Sequence, residues 1–438
     1  MDYVNRVLLT RKEYSKVDKF YIEGRNKLKG EIQVSGAKNA ALPIISAALL
    51  AESKSILLDI PDLRDVRNLA AILEKMGAKV DFADNKMEID PSSVNNHATD
   101  PELARKLRAS YYLLGVMLAK KGRARTSLPG GCNIGNRPID LHLKGFKALG
   151  AEVNIEHGHV EVEAENLKGG QIYLDYPSVG ATVNIMLAAS MADGKTIIEN
   201  AAREPEIIDL ANYLTVMGAN IKGAGTDIIK IEGVDKLKGQ EHRIIPDRIE
   251  AGTFIIAGAM AGEDVYVKNV LVEHIKPLLA KLTEMGVELE EDISGVRISA
   301  SDKLKAVDIK TLPYPGFPTD LQAQMMVILT QAEEPGVVTE TVWEDRFAHI
   351  DELARMGAKI KLDGHTALVH PSELQGAEVE ATDLRAGAAL IIAGLAAEGL
   401  TVVNEISHVE RGYENIVDKL QGIGAVIQRE PVSKVTSA

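Results

Sequence analysis

DVRNLAAILEKMGAKVDF, Asp65 to Phe82, decides the fold. Leu69, Ile72, Leu73 and Met76 fall at i, i+3, i+4 and i+7, which is one apolar face of a helix. Gly77 follows as a left-handed helix stop. The next residues alternate like a strand. The same helix, glycine and strand recur at LGAEV (149–153), MGANI (217–221), MGVEL (285–289), MGAKI (356–360) and IGAVI (423–427). The six glycines, Gly77, Gly150, Gly218, Gly286, Gly357 and Gly424, are spaced by 73, 68, 68, 71 and 67 residues. A period held that closely marks a repeated structural unit.

Each unit also carries an upstream helix that is apolar all round, and such a helix is buried. AALPIISAALLAES (40–53) and AGAALIIAGLAAEG (386–399) are the first and last of the six. The residues before these helices, Asn39, Arg108, Gly180, Glu250, Asp320 and Arg385, recur at gaps of 69, 72, 70, 70 and 65. Asn39 and Asp320 suit helix N-caps. Arg108 and Arg385 do not, because a cation is unfavourable at a helix N-terminus. Their placement points to ligand binding, with converging N–H groups forming an anion site. The periodicity therefore predicts an α/β protein of six units, each with a buried helix, an amphipathic helix and strands.

Composition bounds the function. The chain of 438 residues exceeds one ordinary core, so two or three domains are expected. A net charge of −13 excludes a general nucleic-acid binder, although a few clustered arginines can still hold a small anion. The N-terminal MDYVNRVLLTRKEYSKV has no long apolar stretch and is no secretory signal. The most apolar segments reach about half a membrane span, so no membrane association is expected. A lone cysteine cannot form an internal disulfide, which fits a reducing cytoplasm. That cysteine, Cys132, sits in SLPGGCNIGNRP (127–138), a glycine-rich loop rather than an apolar core. The histidines show no ligand-like clustering, and no phosphate or dinucleotide fingerprint appears, so no metal and no cofactor are expected. Oligomeric state is not legible.

Ten ordered stretches carry a resemblance. They are SGAKNAALP (35–43), KLRAS (106–110), LPGGCNIGNRPIDLH (128–142), YPSVGAT (176–182), REPEI (203–207), PDRIEAGTF (246–254), GFPTDLQAQ (316–324), EDRFAH (344–349), TDLRAGAAL (382–390) and ERGYE (410–414). With them the chain resembles the UDP-N-acetylglucosamine 1-carboxyvinyltransferases, enolpyruvyl transferases of peptidoglycan synthesis, from Asp18 to about residue 428. The six-unit architecture is shared with 5-enolpyruvylshikimate-3-phosphate (EPSP) synthase, but the Pro-Gly-Gly-Cys loop favours the sugar-nucleotide enzymes. A related enolpyruvyl transferase and a non-catalytic repeat scaffold are the competing readings.

The resemblance implies two similar domains of three units each, an inside-out α/β barrel arrangement with the active site in the cleft between them. Mapped here, one domain spans 38–245, and the other combines 1–37 with 246–438. It implies transfer of the enolpyruvyl group of phosphoenolpyruvate to the 3′-hydroxyl of UDP-N-acetylglucosamine by addition and elimination, with release of phosphate. Cys132 would be the general acid and the thiol alkylated by the epoxide phosphonate fosfomycin. Asp320 would be the base. Lys38, Asn39, Arg137, Arg385, Arg411 and Arg346 would hold phosphoenolpyruvate, since guanidinium groups match carboxylate and phosphate oxygens bidentately. Arg108, Arg137, Pro138, Ile139, Asp140, Leu141, Tyr176, Pro177, Ser178, Val179, Asp320 and Val342 would hold the nucleotide sugar. The chain departs from the family at Tyr314, where the family carries histidine, and at Asp345, where it carries asparagine. Its first 17 residues precede the family's usual start.

Overall fold

The computed structural model describes residues 18–128, 139–301 and 303–430. Cys132, Arg137 and Pro138 lie outside the described residues.

Six buried helices recur along the chain: Lys38–Ala47, Tyr112–Lys121, Val179–Ala189, Arg248–Ala261, Gln322–Leu329 and Leu384–Ala396. Six amphipathic helices alternate with them: Arg64–Lys75, Asp140–Ala148, Pro205–Met217, Lys276–Met285, His349–Arg355 and Ile416–Gly422. In the Arg64 helix, Val66, Leu69, Ile72 and Leu73 are buried while Arg67, Glu74 and Lys75 are exposed, as its spacing requires. All six period-marking glycines have positive φ, from 90° to 116°. Each turns its helix into the following strand through the left-handed region that only glycine enters at little cost.

The strands form five four-stranded sheets and one three-stranded sheet among the described residues. Each four-stranded sheet is antiparallel except for one parallel strand at its edge, and the three-stranded sheet is antiparallel throughout. The way strands are lent between units closes each half on itself. Glu241–Arg243, at the end of the third unit, pairs in parallel with Ser55–Leu58 of the first. Leu28–Gln33 pairs in parallel with Gly262–Lys268 of the fourth unit. Lys19–Glu23 lies antiparallel between Leu400–Asn404 and Val426–Glu430 of the sixth. The first two strands thus complete sheets whose other members come from the far end of the chain.

Two hydrophobic clusters result. One runs from Ala37 to Ile244; the other joins Phe20 to Val34 with Ile249 to Ile427. Ala, Leu, Ile and Val dominate both, as a chain with few aromatics requires. The two connections between the halves run side by side. Gly36 and Pro246 form an antiparallel bridge, Ala37 N–H donates to the Ile245 carbonyl at 2.7 Å, and Asp247 N–H donates to the Ser35 carbonyl at 2.9 Å.

Of the six matched positions, Asn39, Gly180, Glu250 and Arg385 lie inside the first turns of their helices, and Arg108 and Asp320 lie in the 3-10 turns that lead into theirs. Ser178, Asp247 and Asp383 are the caps, each accepting backbone N–H groups of the turn that follows. Asn39 is the second residue of a helix with no side-chain cap. Asp320 is the middle residue of the 3-10 turn Thr319–Leu321, again with no side-chain cap. The capping expectation for Asn39 and Asp320 is therefore incorrect. A cap needs extended backbone so that its oxygen can fold back onto the turn, and neither residue stands there.

Candidate active site

The carboxylate of Asp320 is clamped from two directions. Arg346 Nη2 donates to Oδ1 at 2.7 Å, and Arg385 Nη2 donates to Oδ2 at 3.2 Å. Both guanidinium groups are buried, whereas the Asp320 side chain keeps 28% of its surface exposed. Burial works against ionisation of Asp320. The charges of Arg385, Arg346 and Arg248 outweigh it and hold the carboxyl well below the usual range. At neutral pH this group is an anion with an open side.

Arg385 is itself positioned. Asp383 caps its helix, accepting from Arg385 N at 2.7 Å and Ala386 N at 3.0 Å. Its Nη1 donates to the buried Tyr413 hydroxyl at 3.2 Å. Thr253 Oγ1 gives its hydrogen to the Ile249 carbonyl at 2.8 Å, so across the 2.8 Å contact between Thr253 and Tyr413 it is Tyr413 that donates. The lone pairs of Tyr413 are thereby left facing Arg385.

A second carboxylate lies between cations from both halves. Asp65 Oδ1 accepts from Arg411 Nε at 3.0 Å, and Oδ2 accepts from Arg411 Nη2 at 3.3 Å. Lys38 Nζ approaches the same Oδ2 at 3.5 Å and donates to the Arg411 carbonyl at 3.0 Å. Burial pulls the Lys38 ammonium below its ordinary pKa, Asp65 pushes it back up, and Arg385, Arg411 and Asp247 also act on it. Lys38 thus links Asp65 to the Arg411 backbone and feels the charge of Arg385. Asn39, beside it, is exposed.

Residues expected to hold the nucleotide sugar group around two helix starts. Asp140 and Leu141 open the helix Asp140–Ala148, preceded by the buried Ile139. Tyr176 and Pro177 lead to Ser178, whose hydroxyl accepts from Ala181 N at 3.3 Å, and Val179 opens that helix. A histidine–amide network ties the two helices together. Asn184 Nδ2 meets His142 Nδ1 at 2.8 Å, and Gly180 packs against the same imidazole. Arg108 lies over the Tyr111 ring at 5.9 Å. Across the cleft, Val342 N–H donates to Glu340 Oε1 at 2.8 Å. Tyr176 has its hydroxyl pKa raised by burial and by the charges of Glu204 and Glu340, which places it between the halves.

Sequence reasoning missed four members of this constellation. Asp65 was absorbed into an amphipathic pattern, although a buried charge on an apolar face was the signal. Arg248 and Glu206 stand in quoted motifs without a role; they pair at 3.1 Å, and Arg248 lies 5.6 Å over the ring of Tyr314. Tyr413 stands two residues after Arg411. A cavity of about 300 Å³ opens beside Glu204, lined from one half by Pro177 and from the other by Leu312 and Tyr314. Among the described residues, no group of three or more His, Cys, Asp or Glu could hold a metal ion, and no helix is long and apolar enough to cross a membrane.

Two cyclic halves of three units, with convergent cations and carboxylates between them, define an enolpyruvyl-transferase type of molecule. A model of the EPSP synthase (3-phosphoshikimate 1-carboxyvinyltransferase) family matches residues 22–420, and the chain belongs to that family. Within it, the chain is 72% identical over 411 residues to UDP-N-acetylglucosamine 1-carboxyvinyltransferase of Halothermothrix orenii, covering 94% of this chain and 99% of that protein. It is 55% identical over 413 residues to UDP-N-acetylglucosamine 1-carboxyvinyltransferase 1 of Caldanaerobacter subterraneus subsp. tengcongensis, covering 94% and 99%. The crystal structure of the enolpyruvyl transferase NikO from Streptomyces tendae superposes with a TM-score of 0.86 at 25% identity, covering 95% of this chain and 99% of that one. EPSP synthase from Acinetobacter baumannii shares the fold, with a TM-score of 0.75 at 20% identity and coverage of 94% and 100%.

Proposed function

We propose that the chain transfers the enolpyruvyl group of phosphoenolpyruvate to the 3′-hydroxyl of UDP-N-acetylglucosamine and releases phosphate, the reaction that commits this sugar to peptidoglycan. The observation that carries the reading is the Asp320 carboxylate, ionised between Arg346 and Arg385 with one side open. The similarity to named sugar-nucleotide transferases supports the choice of acceptor. Residues 38–245 and 1–37 plus 246–438 act as the two domains that face each other across the cleft.

The chemistry follows from the residues. Phosphoenolpyruvate is highly anionic, and Lys38, Arg411, Arg385, Arg346 and Arg137 supply its counter-charge. Asn39 bonds the sugar or the intermediate. In the addition step the substrate methylene carbon takes a proton from Cys132 while the sugar 3′-oxygen attacks the adjacent carbon. Asp320 receives the hydroxyl proton, which needs hydrogen-bond reach. Its two arginines make it a weak base. An arriving phosphate or carboxylate competes for those guanidinium groups, loosens their hold and raises the basicity of Asp320 when it is needed. Elimination then returns a proton from the methyl carbon to the Cys132 thiolate, breaks the bond between carbon and the phosphate oxygen, and restores the double bond, while the proton held by Asp320 leaves with the phosphate. Arg108, Asp140, Leu141, Ser178 and Val179 orient the nucleotide sugar from one half, and Val342 does so from the other.

The test is phosphate release from phosphoenolpyruvate with each candidate acceptor. Release dependent on UDP-N-acetylglucosamine, with none on shikimate 3-phosphate, is the expected result. Release with shikimate 3-phosphate alone, or with neither, overturns the proposal.

A further inference from the structure

Asp65 has no part in the reaction as drawn, yet it is 4% exposed and carries a full set of charged partners. As a first-turn acid it gains something from its own helix dipole. Its side chain, however, turns toward the cleft: three donors from Lys38 and Arg411 lie at 3.0 to 3.5 Å. Lys38 belongs to one hydrophobic cluster's helix and Arg411 to a segment of the other, so this carboxylate is the bridge between them. The groups that face Lys38 are Asp65 from the Arg64 helix, Arg411, Arg385 from the Leu384 helix, and Asp247 from the cap of the Arg248 helix. Two of these are cations, and burial adds to their effect, so a lone ammonium here would tend to shed its proton.

We infer that Asp65 is a positioning residue for phosphoenolpyruvate, holding Lys38 and Arg411 of the two halves in register and keeping Lys38 charged. This rests on the reading of Lys38 and Arg411 as phosphoenolpyruvate contacts. It adds that their competence depends on a carboxylate that never touches the reacting atoms. A merely structural Asp65 would affect folding but would not make substrate affinity depend on pH.

The experiment measures KM for each substrate and kcat from pH 6 to 9 in the full-length wild type and in Asp65→Asn, with thermal melting of both. The ratio of variant to wild type cancels the substrate's own titration. At pH 6 the two KM values for phosphoenolpyruvate should nearly agree. At pH 8.5 the variant's should be higher by roughly tenfold, the effect of one lost proton at a site shifted by a neighbouring charge. KM for UDP-N-acetylglucosamine should stay put. Asp65→Glu keeps the charge and should track the wild type. Asp65→Asn combined with Lys38→Arg should lose the pH dependence, since guanidinium does not titrate in this range. If Asp65→Asn folds poorly, Asp65→Ser reads the same shift. A ratio that is flat with pH in the neutral variants overturns the inference while leaving the functional reading intact. A wild type that releases no phosphate overturns both.

Discussion

The two halves use the same repeat position for opposite purposes. Asn39, Arg108 and Gly180 stand in the first three units where Glu250, Asp320 and Arg385 stand in the last three. The first trio differs in character: Asn39 is exposed, Arg108 lies over an aromatic ring, and Gly180 lets His142 pack against its backbone. The second trio is ionic, with Glu250 and Arg385 buried and Asp320 half-buried. Glu250 is 2% exposed, and burial pushes it up to about 7 even though Lys419 Nζ lies 2.6 Å away. Asp320 and Arg385 bind each other directly. One backbone scaffold thus yields a more varied set of side chains in one half and a charge array already assembled in the other. Groups aimed in advance at developing charge cost no reorganisation when the reaction occurs, so the second half is where loss of one side chain should cost most.

The largest test of that contrast is Asp320→Asn. Asparagine can still accept from one guanidinium, but it carries no charge and takes no proton. Turnover should fall about 10²-fold or more. Because Asp320 is an ion-pair partner and not a helix cap, stability should also drop, by about 2 kcal/mol for a lost charged hydrogen bond. Kinetics and melting belong on the same preparation. Full turnover in a stable variant would break the contrast at its centre and send the search for the base elsewhere.

Arginine truncation sharpens it further. Arg385 is 7% exposed in its side chain and holds Asp320 and Tyr413, whereas Arg411 is 39% exposed and shares Asp65 with Lys38. Removing one member of a buried pair costs about 3 kcal/mol or more, and of a solvated pair about 1 kcal/mol or less. Arg385→Ala should therefore melt well below Arg411→Ala, while both weaken the use of phosphoenolpyruvate. Equal melting temperatures would mean that the second half is no more preorganised than the seam between the halves.

Much of this was legible in the chain. The glycine period announced six units because positive φ after each helix is a backbone demand that few other residues meet. The apolar helices were legible because burial on all sides leaves no polar face. The helix starts were not, and the reason is local. Caps two or three residues earlier, such as Asp383 before Arg385, set the first turn, and period arithmetic cannot see a shift of that size. Arg346, Arg385 and Asp320 were each expected at the site, but their mutual pairing was not, since Arg346 stands 26 residues from Asp320 and Arg385 65 residues from it, in the next unit. Asp65 went unseen because an acid in a helical first turn looks like ordinary dipole pairing until Arg411, hundreds of residues away, is folded against it.

The smallest effect concerns a matched pair of histidines, one per half. His142 lies in the amphipathic helix of the second unit and His349 in that of the fifth. Asn184 Oδ1 accepts from Gly115 N at 3.0 Å, which fixes its amide orientation, so Nδ2 is the donor to His142 Nδ1. His142 is therefore neutral, with its proton on Nε2. His349 contacts the Met326 sulfur at 3.3 Å instead. Burial pulls both imidazoles down to about 4, helped by Arg108 at His142 and by Arg346 at His349. Both folded values lie below the unfolded 6.5, so between them the unfolded chain binds more protons. Stability from these sites is full above pH 6.5 and is lost as pH falls toward 4, at up to about 1.4 kcal/mol per pH unit for each histidine. Glu250, raised in the folded state, contributes the opposite slope between 4.5 and 7, but it is common to all variants and cancels in their differences. Urea unfolding between pH 5 and 6.5 should show a reduced slope in His142→Gln and in His349→Gln, and the greatest flattening in the double variant. An unchanged slope in the double variant would mean that neither imidazole is held neutral. A larger loss from His349→Gln than from His142→Gln would extend the contrast between the halves from the cleft into the packing beneath it.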